Sequence, residues 1–268
     1  MSRSGTIAVV VPVEEEFAPY RDLFPGLGPL RETGPWEVYE ARAGGRRVLL
    51  IISDCGPANA GAATERVIGH FAPAVVLNGG AAGAHDPELL PGDLVVGSRY
   101  AILFPPAGQR KLGGGAERTF RKGIRFRKGG ARIHLDECRA SPDLLRLGTA
   151  TARRVVPALG SWAAPGWPAG VEPRTGIVTE GLIGSTDVWT SDPGDVAALH
   201  ALYGARCEDM ESAYVAQVCA LHGVPFLAVR VMSNNEAACR IDEADVVRAI
   251  ATAGHRAATV IAAVVREL

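Results

Sequence analysis

Residues 205–236 read ARCEDMESAYVAQVCALHGVPFLAVRVMSNNE. The stretch opens strand-like at Ala205–Glu208. Glu211–His222 then carries apolar residues through a helical run, and Gly223 stands just beyond its end, as a C-cap glycine does. Pro225–Met232 is apolar nearly throughout, as expected of a strand buried on both faces. Strand, helix and strand in quick succession make a βαβ unit, and such units build parallel sheets. The unit ends in a polar cluster, Ser233, Asn234, Asn235 and Glu236, whose hydrogen-bonding groups suit a heterocyclic base. Glu211, at the start of the helix, is a carboxylate of the kind that accepts from the vicinal hydroxyls of a ribose.

The same alternation continues outward. Thr6–Val13 is a buried strand and Glu14–Leu23 a helix. Glu37–Arg42 and Arg46–Ser53 are strands joined by a Gly-Gly turn. Asn59–Phe71 is a helix, and Ala74–Leu77 a short strand running into a glycine-rich turn, Asn78-Gly-Gly-Ala-Ala-Gly83. Leu94–Gly97 and Gly176–Thr179 are further short strands. Pro142–Val156 is a helix with Ser141 at its N-cap, Asp195–Tyr203 a helix closed by Gly204, and Glu243–Leu268 a long C-terminal helix. The expected architecture is α/β: a single-domain, three-layer fold with a twisted, mostly parallel central sheet flanked by helices. Neither linker nor internal repeat is evident, so residues 1–268 are expected to form one domain.

One segment stands apart, a basic loop insertion at about 104–132. Between Arg110 and Arg132 it holds nine Lys or Arg, six glycines and a single acid, Glu117. It suits a solvated loop, an anion-binding lid or a subunit contact. With only Phe120 and Phe126 available for stacking and a chain charge of −1, nucleic acid is not the expected partner.

The bulk properties narrow the class. At 268 residues with 47% hydrophobic content, the chain can bury a full core. The five cysteines (55, 138, 207, 219 and 239) form no C-x-x-C pair, and an odd, scattered set fits a reducing compartment. No apolar run approaches the roughly 20 residues of a membrane span, and the Ile7–Val13 run is too short for a secretion signal. A cytoplasmic protein without membrane association is expected. No Walker loop, H-E-x-x-H or G-x-S-x-G is present, and the six histidines do not cluster, so neither metal nor cofactor is expected.

Three strand ends, near 13, 77 and 232, would bring Glu16, the glycine turn and Asn234 to one edge of the sheet, where open α/β folds bind ligands. In Glu14-Glu15-Glu16, favourable charge at a helix start accounts for two of the three carboxylates. One facing a cleft can orient and deprotonate a water.

Taken together, Val11-Pro-Val-Glu-Glu-Glu16, Asn78-Gly-Gly-Ala-Ala-Gly83 with Gly92-Asp93, Glu208-Asp-Met-Glu211 and Arg230-Val-Met-Ser-Asn234 resemble the nucleoside phosphorylase/nucleosidase superfamily. The branch they look most like is the 5′-methylthioadenosine/S-adenosylhomocysteine nucleosidases. The pieces run in the family's order over almost the whole chain, with a poor match at 104–170. The resemblance implies a nucleoside phosphorylase-like fold and an N-glycosidase that releases free base from a 5′-modified purine ribonucleoside. It places Glu16 on the attacking water, and Met210 and Glu211 on the ribose. Ala81 and Gly83 then lie beside the sugar and the water, with Ser233 and Asn234 at the base. Gly184–Trp189 falls where the family grips the base, so Trp189 is placed to stack on a purine, although it suits the core equally. The resemblance also implies a homodimer or larger homo-oligomer.

Asn234 is the main departure, because the family's nucleosidases carry an aspartic acid there. An amide has no titratable proton to give. Three consequences are open. The substrate is a 6-oxopurine nucleoside, as for the futalosine hydrolases, which are similar in having Ser-Asn here; or Glu236 or Asp187 supplies the acid; or the protein binds nucleosides without catalysis. A phosphate-dependent reaction is a further alternative, disfavoured by the acidic Pro-Val-Glu-Glu-Glu turn.

Overall fold

The computed structural model describes residues 5–30, 34–104, 123–239 and 241–268. Its first strand, β1 (Ile7–Val11), is fully buried along its whole length. It pairs in parallel with β4 (Arg46–Ile52) on one side and β5 (Val75–Ala84) on the other. β12 (Phe226–Asn234) lies parallel to β5 on its far side. These four strands form the expected parallel centre, and their apolar runs reflect burial on both faces.

Antiparallel pairs complete both ends of the sheet. At one end β4 forms a hairpin with β3 (Glu37–Ala43), which also pairs with the short β2 (Gly28–Pro29). At the other, β6 (Leu94–Ile102) pairs antiparallel to β12 and to the two-residue β9 (Cys138–Arg139), and parallel to β10 (Val178–Ser185), which pairs with β11 (Ala205–Asp209). β11 then turns back to β5, placing Cys207 opposite Ala84 and Glu208 opposite Gly83. The sheet is therefore mixed, and half of it closes on itself.

The residues 78–83 do not form a turn. They continue β5 as one ten-residue strand. Glycine in a strand often marks close approach by a neighbour, and three neighbours do so here. A Cβ on Gly79 would lie 2.7 Å from Ile261, and one on Gly80 2.6 Å from Arg230 Nη1 and 2.7 Å from Glu16 Oε1. β5 pairs with β1 as far as Asn78 and with β11 from Gly83. Between these points it borders a gap, and the cleft opens there.

The expected helix Glu14–Leu23 is two short ones, α1 (Glu14–Phe17) and α2 (Tyr20–Leu23), with Pro19 between them; proline supplies no N–H to continue a helix. α3 (Pro57–Phe71) and α4 (Pro142–Val155) match expectation closely, but the Ser141 side chain makes no capping bond. α5 (Pro193–Tyr203) is capped by Asp192, which accepts from the amides of Gly194 and Asp195. α6 (Ser212–His222) follows β11, and α7 (Glu243–Glu267) ends the chain. Gly204 and Gly223 take left-handed conformations, φ +67° and +71°, as C-cap glycines. α3 packs on α6, while α4 and α7 pack together against the sheet.

Within the basic segment, β7 (Ile124–Lys128) and β8 (Ala131–Leu135) form a hairpin turned by Gly129-Gly130. Residues 105–122 of that segment lie outside the described residues.

Candidate active site

The carboxyl ends of β1, β5 and β12 meet β11 around a cleft lined by Glu16, Ala81, Gly83, Trp189, Met210, Glu211, Ser233 and Asn234. The eight residues that the resemblance places on water, ribose or base thus border one cavity.

Its charged floor is built from the β11–α6 junction. Asp209, the last residue of β11, accepts from the amides of Glu211 and Ser212, both at 3.1 Å. The hydroxyl of Ser185 donates to the same Asp209 oxygen and accepts from Ala213 N at 2.9 Å. These contacts satisfy the open N–H groups at the start of α6. Glu211 occupies the N-cap position but is not needed as a cap. Its side chain turns to the cleft, where it accepts from Gly56 N at 3.1 Å. Gly56 stands at φ +96°, which suits glycine.

Arg230 heads the motif piece Arg230-Val-Met-Ser-Asn234 as the one charge within an apolar strand, but the sequence assigned it no role. It is 1% exposed and organises the floor. Its Nε lies 2.7 Å from Asp209 Oδ2, and its Nη2 donates to Asn78 at 2.6 Å and to Glu211 at 3.3 Å. Its Nη1 donates to Ala81 O at 3.2 Å. The unbroken apolar pattern around it was the available signal, because a buried charge requires partners.

Glu14 and Glu15 are exposed, whereas Glu16 is 4% exposed. Its Oε1 accepts from Ala81 N at 2.6 Å, across the gap where β5 has left β1. Its Oε2 has no hydrogen-bond partner among the described residues. Burial pushes the Glu16 carboxyl up to about 8, against the opposing influences of Arg230 and the Ala81 amide. Glu211 rises to about 7, mainly by burial, with Arg230 holding it down and Asp209 pushing it up. One guanidinium therefore serves three carboxyl groups, a setting in which proton positions respond to a bound ligand.

At the opposite wall, Asn234 is held at both ends. Ser233 Oγ donates to its carbonyl at 2.8 Å, and its amide donates to Glu236 at 2.7 Å. Trp189 is half exposed at the rim, not in the core. Asn235 does not join the site. It donates to the carbonyls of Asp86 and Leu89 and accepts from the amides of Ala237 and Ala238, tying down its own loop. Among the described residues no cluster of side chains suits a metal ion.

The family model described as "Phosphorylase superfamily" matches residues 6–268. The chain belongs to the phosphorylase superfamily. Among curated members, it is 26% identical over 240 residues to the 5′-methylthioadenosine/S-adenosylhomocysteine nucleosidase of Treponema pallidum, covering 87% of this chain and 82% of that one. The Neisseria meningitidis 5′-methylthioadenosine/S-adenosylhomocysteine nucleosidase in complex with methylthio-immucillin-A superposes with a TM-score of 0.74 at 24% identity, over 98% of this chain and 99% of that one. The futalosine hydrolase of Helicobacter pylori superposes with a TM-score of 0.73 at 20% identity, over 98% of each chain. At these identities the superpositions establish a shared fold. No described helix is long and apolar enough to cross a membrane.

Proposed function

We propose that this protein hydrolyses the N-glycosidic bond of a 5′-substituted purine ribonucleoside and releases the free base. The observation that carries the reading is Glu16: one oxygen fixed by Ala81 N, the other without a hydrogen-bond partner among the described residues, in a cleft shared with Glu211 and Asn234. The nucleosidase relatives support the same reaction class.

In this mechanism Glu211 accepts from the ribose 2′- and 3′-hydroxyls and Met210 packs beneath the sugar. The glycosidic bond lengthens toward an oxocarbenium-like ribose. Ionised Glu16 takes a proton from a water aligned on C1′, and the water oxygen bonds to that carbon. The electron pair of the broken bond leaves with the purine. Asn234 stabilises it through Nδ2, which carries a second N–H besides the one given to Glu236. Ile241, Val246 and Ile250 form an apolar wall suited to an uncharged 5′-substituent.

Water is favoured over phosphate because Arg230, the cation of the described cleft lining, is already paired with Asp209 and Glu211. Incubation with purine nucleosides, with and without phosphate, tests the proposal. Base release independent of phosphate is expected, and phosphate-dependent release would replace hydrolysis by phosphorolysis. Binding without release would point to a non-catalytic role.

The reading includes a single domain spanning the chain, a cytoplasmic location and assembly into a homodimer or larger homo-oligomer. The free state of all five cysteines supports a reducing compartment. Family resemblance supports assembly, which light scattering would test.

A further inference from the structure

Among the buried polar atoms without a hydrogen-bond partner in the described residues, two belong to one short stretch of chain: Glu16 Oε2 and the hydroxyl of Tyr20. Ala18 and Pro19, between α1 and α2, keep right-handed helical dihedrals, φ −48° and ψ −41°, φ −60° and ψ −25°. Residues 16 and 20 are thus one turn apart on the same face, with Cβ atoms about 6 Å apart. Both side chains reach β5, at consecutive glycines. The Tyr20 hydroxyl is 3.3 Å from the point where a Gly79 Cβ would stand, and Glu16 Oε2 is 2.8 Å from the corresponding point on Gly80. Successive strand residues face opposite ways, so the two groups flank β5 along the stretch where it has left β1.

Packing does not account for the hydroxyl. The Tyr20 ring is 1% exposed, stacks on Phe24 at 6.0 Å with 4° between the planes, and lies 6.3 Å from Phe17. A phenylalanine would make the same contacts without burying a polar atom. A buried hydroxyl requires a partner, and where the protein gives none, ordered water serves if two or more polar groups surround it. Glu16 Oε2 is such a group on the same helical face. The bare edge of β5 is polar as well, since Ala81 N donates from it to Glu16 Oε1. A carboxylate offers about four lone-pair sites, so Oε2 can take this bond and still face the cleft.

We propose that Tyr20 is a positioning residue for Glu16: its hydroxyl donates through buried water to Oε2 and so steadies the carboxylate that activates the attacking water. The proposal rests on the hydrolase reading of the cleft. A donor to the ionised carboxyl favours that form, and so acts against burial, as Arg230 and the Ala81 amide do. The other titratable groups facing Glu16 are Glu211, which pushes it up, and Cys55, a thiol that burial raises to about 11. Asp209 stands beyond Arg230, paired with it. α7 meets Glu16 with Gly254, which carries no charge. Tyr20 itself stays a neutral donor, because burial and the charge of Glu16 hold its hydroxyl well above the usual phenol range.

The test compares the pH profile of kcat/KM for Tyr20→Phe with that of the unaltered protein. An infrared titration of the Glu16 carboxyl, identified by its loss in Glu16→Gln, provides a readout that needs no turnover. The expected result is a rise displaced to higher pH by about half a unit or more, which lowers kcat/KM about threefold on the acid side. The loss should fall on kcat, with KM little changed, and the infrared midpoint should move by the same amount. An unmoved profile and an unmoved carboxyl overturn the proposal and leave Tyr20 a packing residue. A crystal structure of the unaltered protein decides the matter even if the variant misfolds. Ordered water bonded to the Tyr20 hydroxyl and leading to Glu16 Oε2 is expected there, and a dry hydroxyl overturns the assignment. If no nucleoside releases base while the infrared shift persists, the hydrolase reading fails and only the tie between Tyr20 and Glu16 survives.

Discussion

Arg230 crosses the neighbouring strand at Gly80: a Cβ there would lie 2.6 Å from Nη1. The same missing side chain admits the Glu16 carboxyl from the other direction. Gly80→Ala is therefore expected to displace either Arg230 or Glu16. Overpacking of this kind typically costs 1–3 kcal/mol. A fall in thermal midpoint together with a loss of base release of at least about tenfold would be the outcome. Normal activity would mean that the crossing has slack.

Removing the guanidinium itself should be worse. Arg230→Met leaves Asp209 and Glu211 buried beside each other without their cation. Breaking a buried pair from one side costs about 3–5 kcal/mol. Denaturant unfolding should show that loss, and it should shrink on acidification as Glu211, raised to about 7 by burial, takes up a proton. A loss that does not depend on pH would assign Arg230 a packing role only.

Glu16→Gln should lower base release by about 10²-fold or more while raising stability in neutral and alkaline solution. The sign follows from the raised pKa. With a folded value of about 8 against an ordinary 4.5, the folded protein holds this proton more tightly than the unfolded chain does. That stabilisation is complete below about pH 4.5 and is lost as pH rises through 8. Gln has no proton to lose, so the variant should gain relative to wild type up to pH 9, by on the order of 3 kcal/mol. Parallel stability curves for the two proteins would remove Glu16 from the buried, protonated state described here.

The pH dependence of kcat/KM should rise toward alkaline pH and level off above about 8, where Glu16 is ionised. Below about 7 the slope should steepen, because Glu211 also takes up a proton there. Asn234 has no titration, so no falling limb is expected from that position. Asn234→Asp restores an acid that must stay protonated and should convert the profile to a bell. A bell in the unaltered protein would mean that another group, with Glu236 nearest the Asn234 amide, supplies the proton.

Much of this molecule was written in local sequence. The βαβ order, the buried strands and the C-cap glycines follow from patterns spanning a few residues, since apolar periodicity and a left-handed glycine act where they stand. The motif pieces marked seven of the residues that line the cleft, and Trp189 came only from a looser match at Gly184–Trp189. Other features depended on contacts between segments far apart in the chain. Residues 78–83 read as a turn because glycine is poor in strands, yet Arg230, Glu16 and Ile261 require those missing side chains, and β11 and β12 supply the pairing. Asn235 resembles its neighbour Asn234 in sequence, but the carbonyls of Asp86 and Leu89 turn it away from the cleft. The raised pKa values of Glu16 and Glu211 belong to no single segment, because burial and one shared arginine set them. By itself the sequence determined most of the elements and several of the side chains that line the cleft. Only the tertiary structure decided how those side chains are charged, paired and aimed, because desolvation and hydrogen bonding arise from atoms that become neighbours on folding.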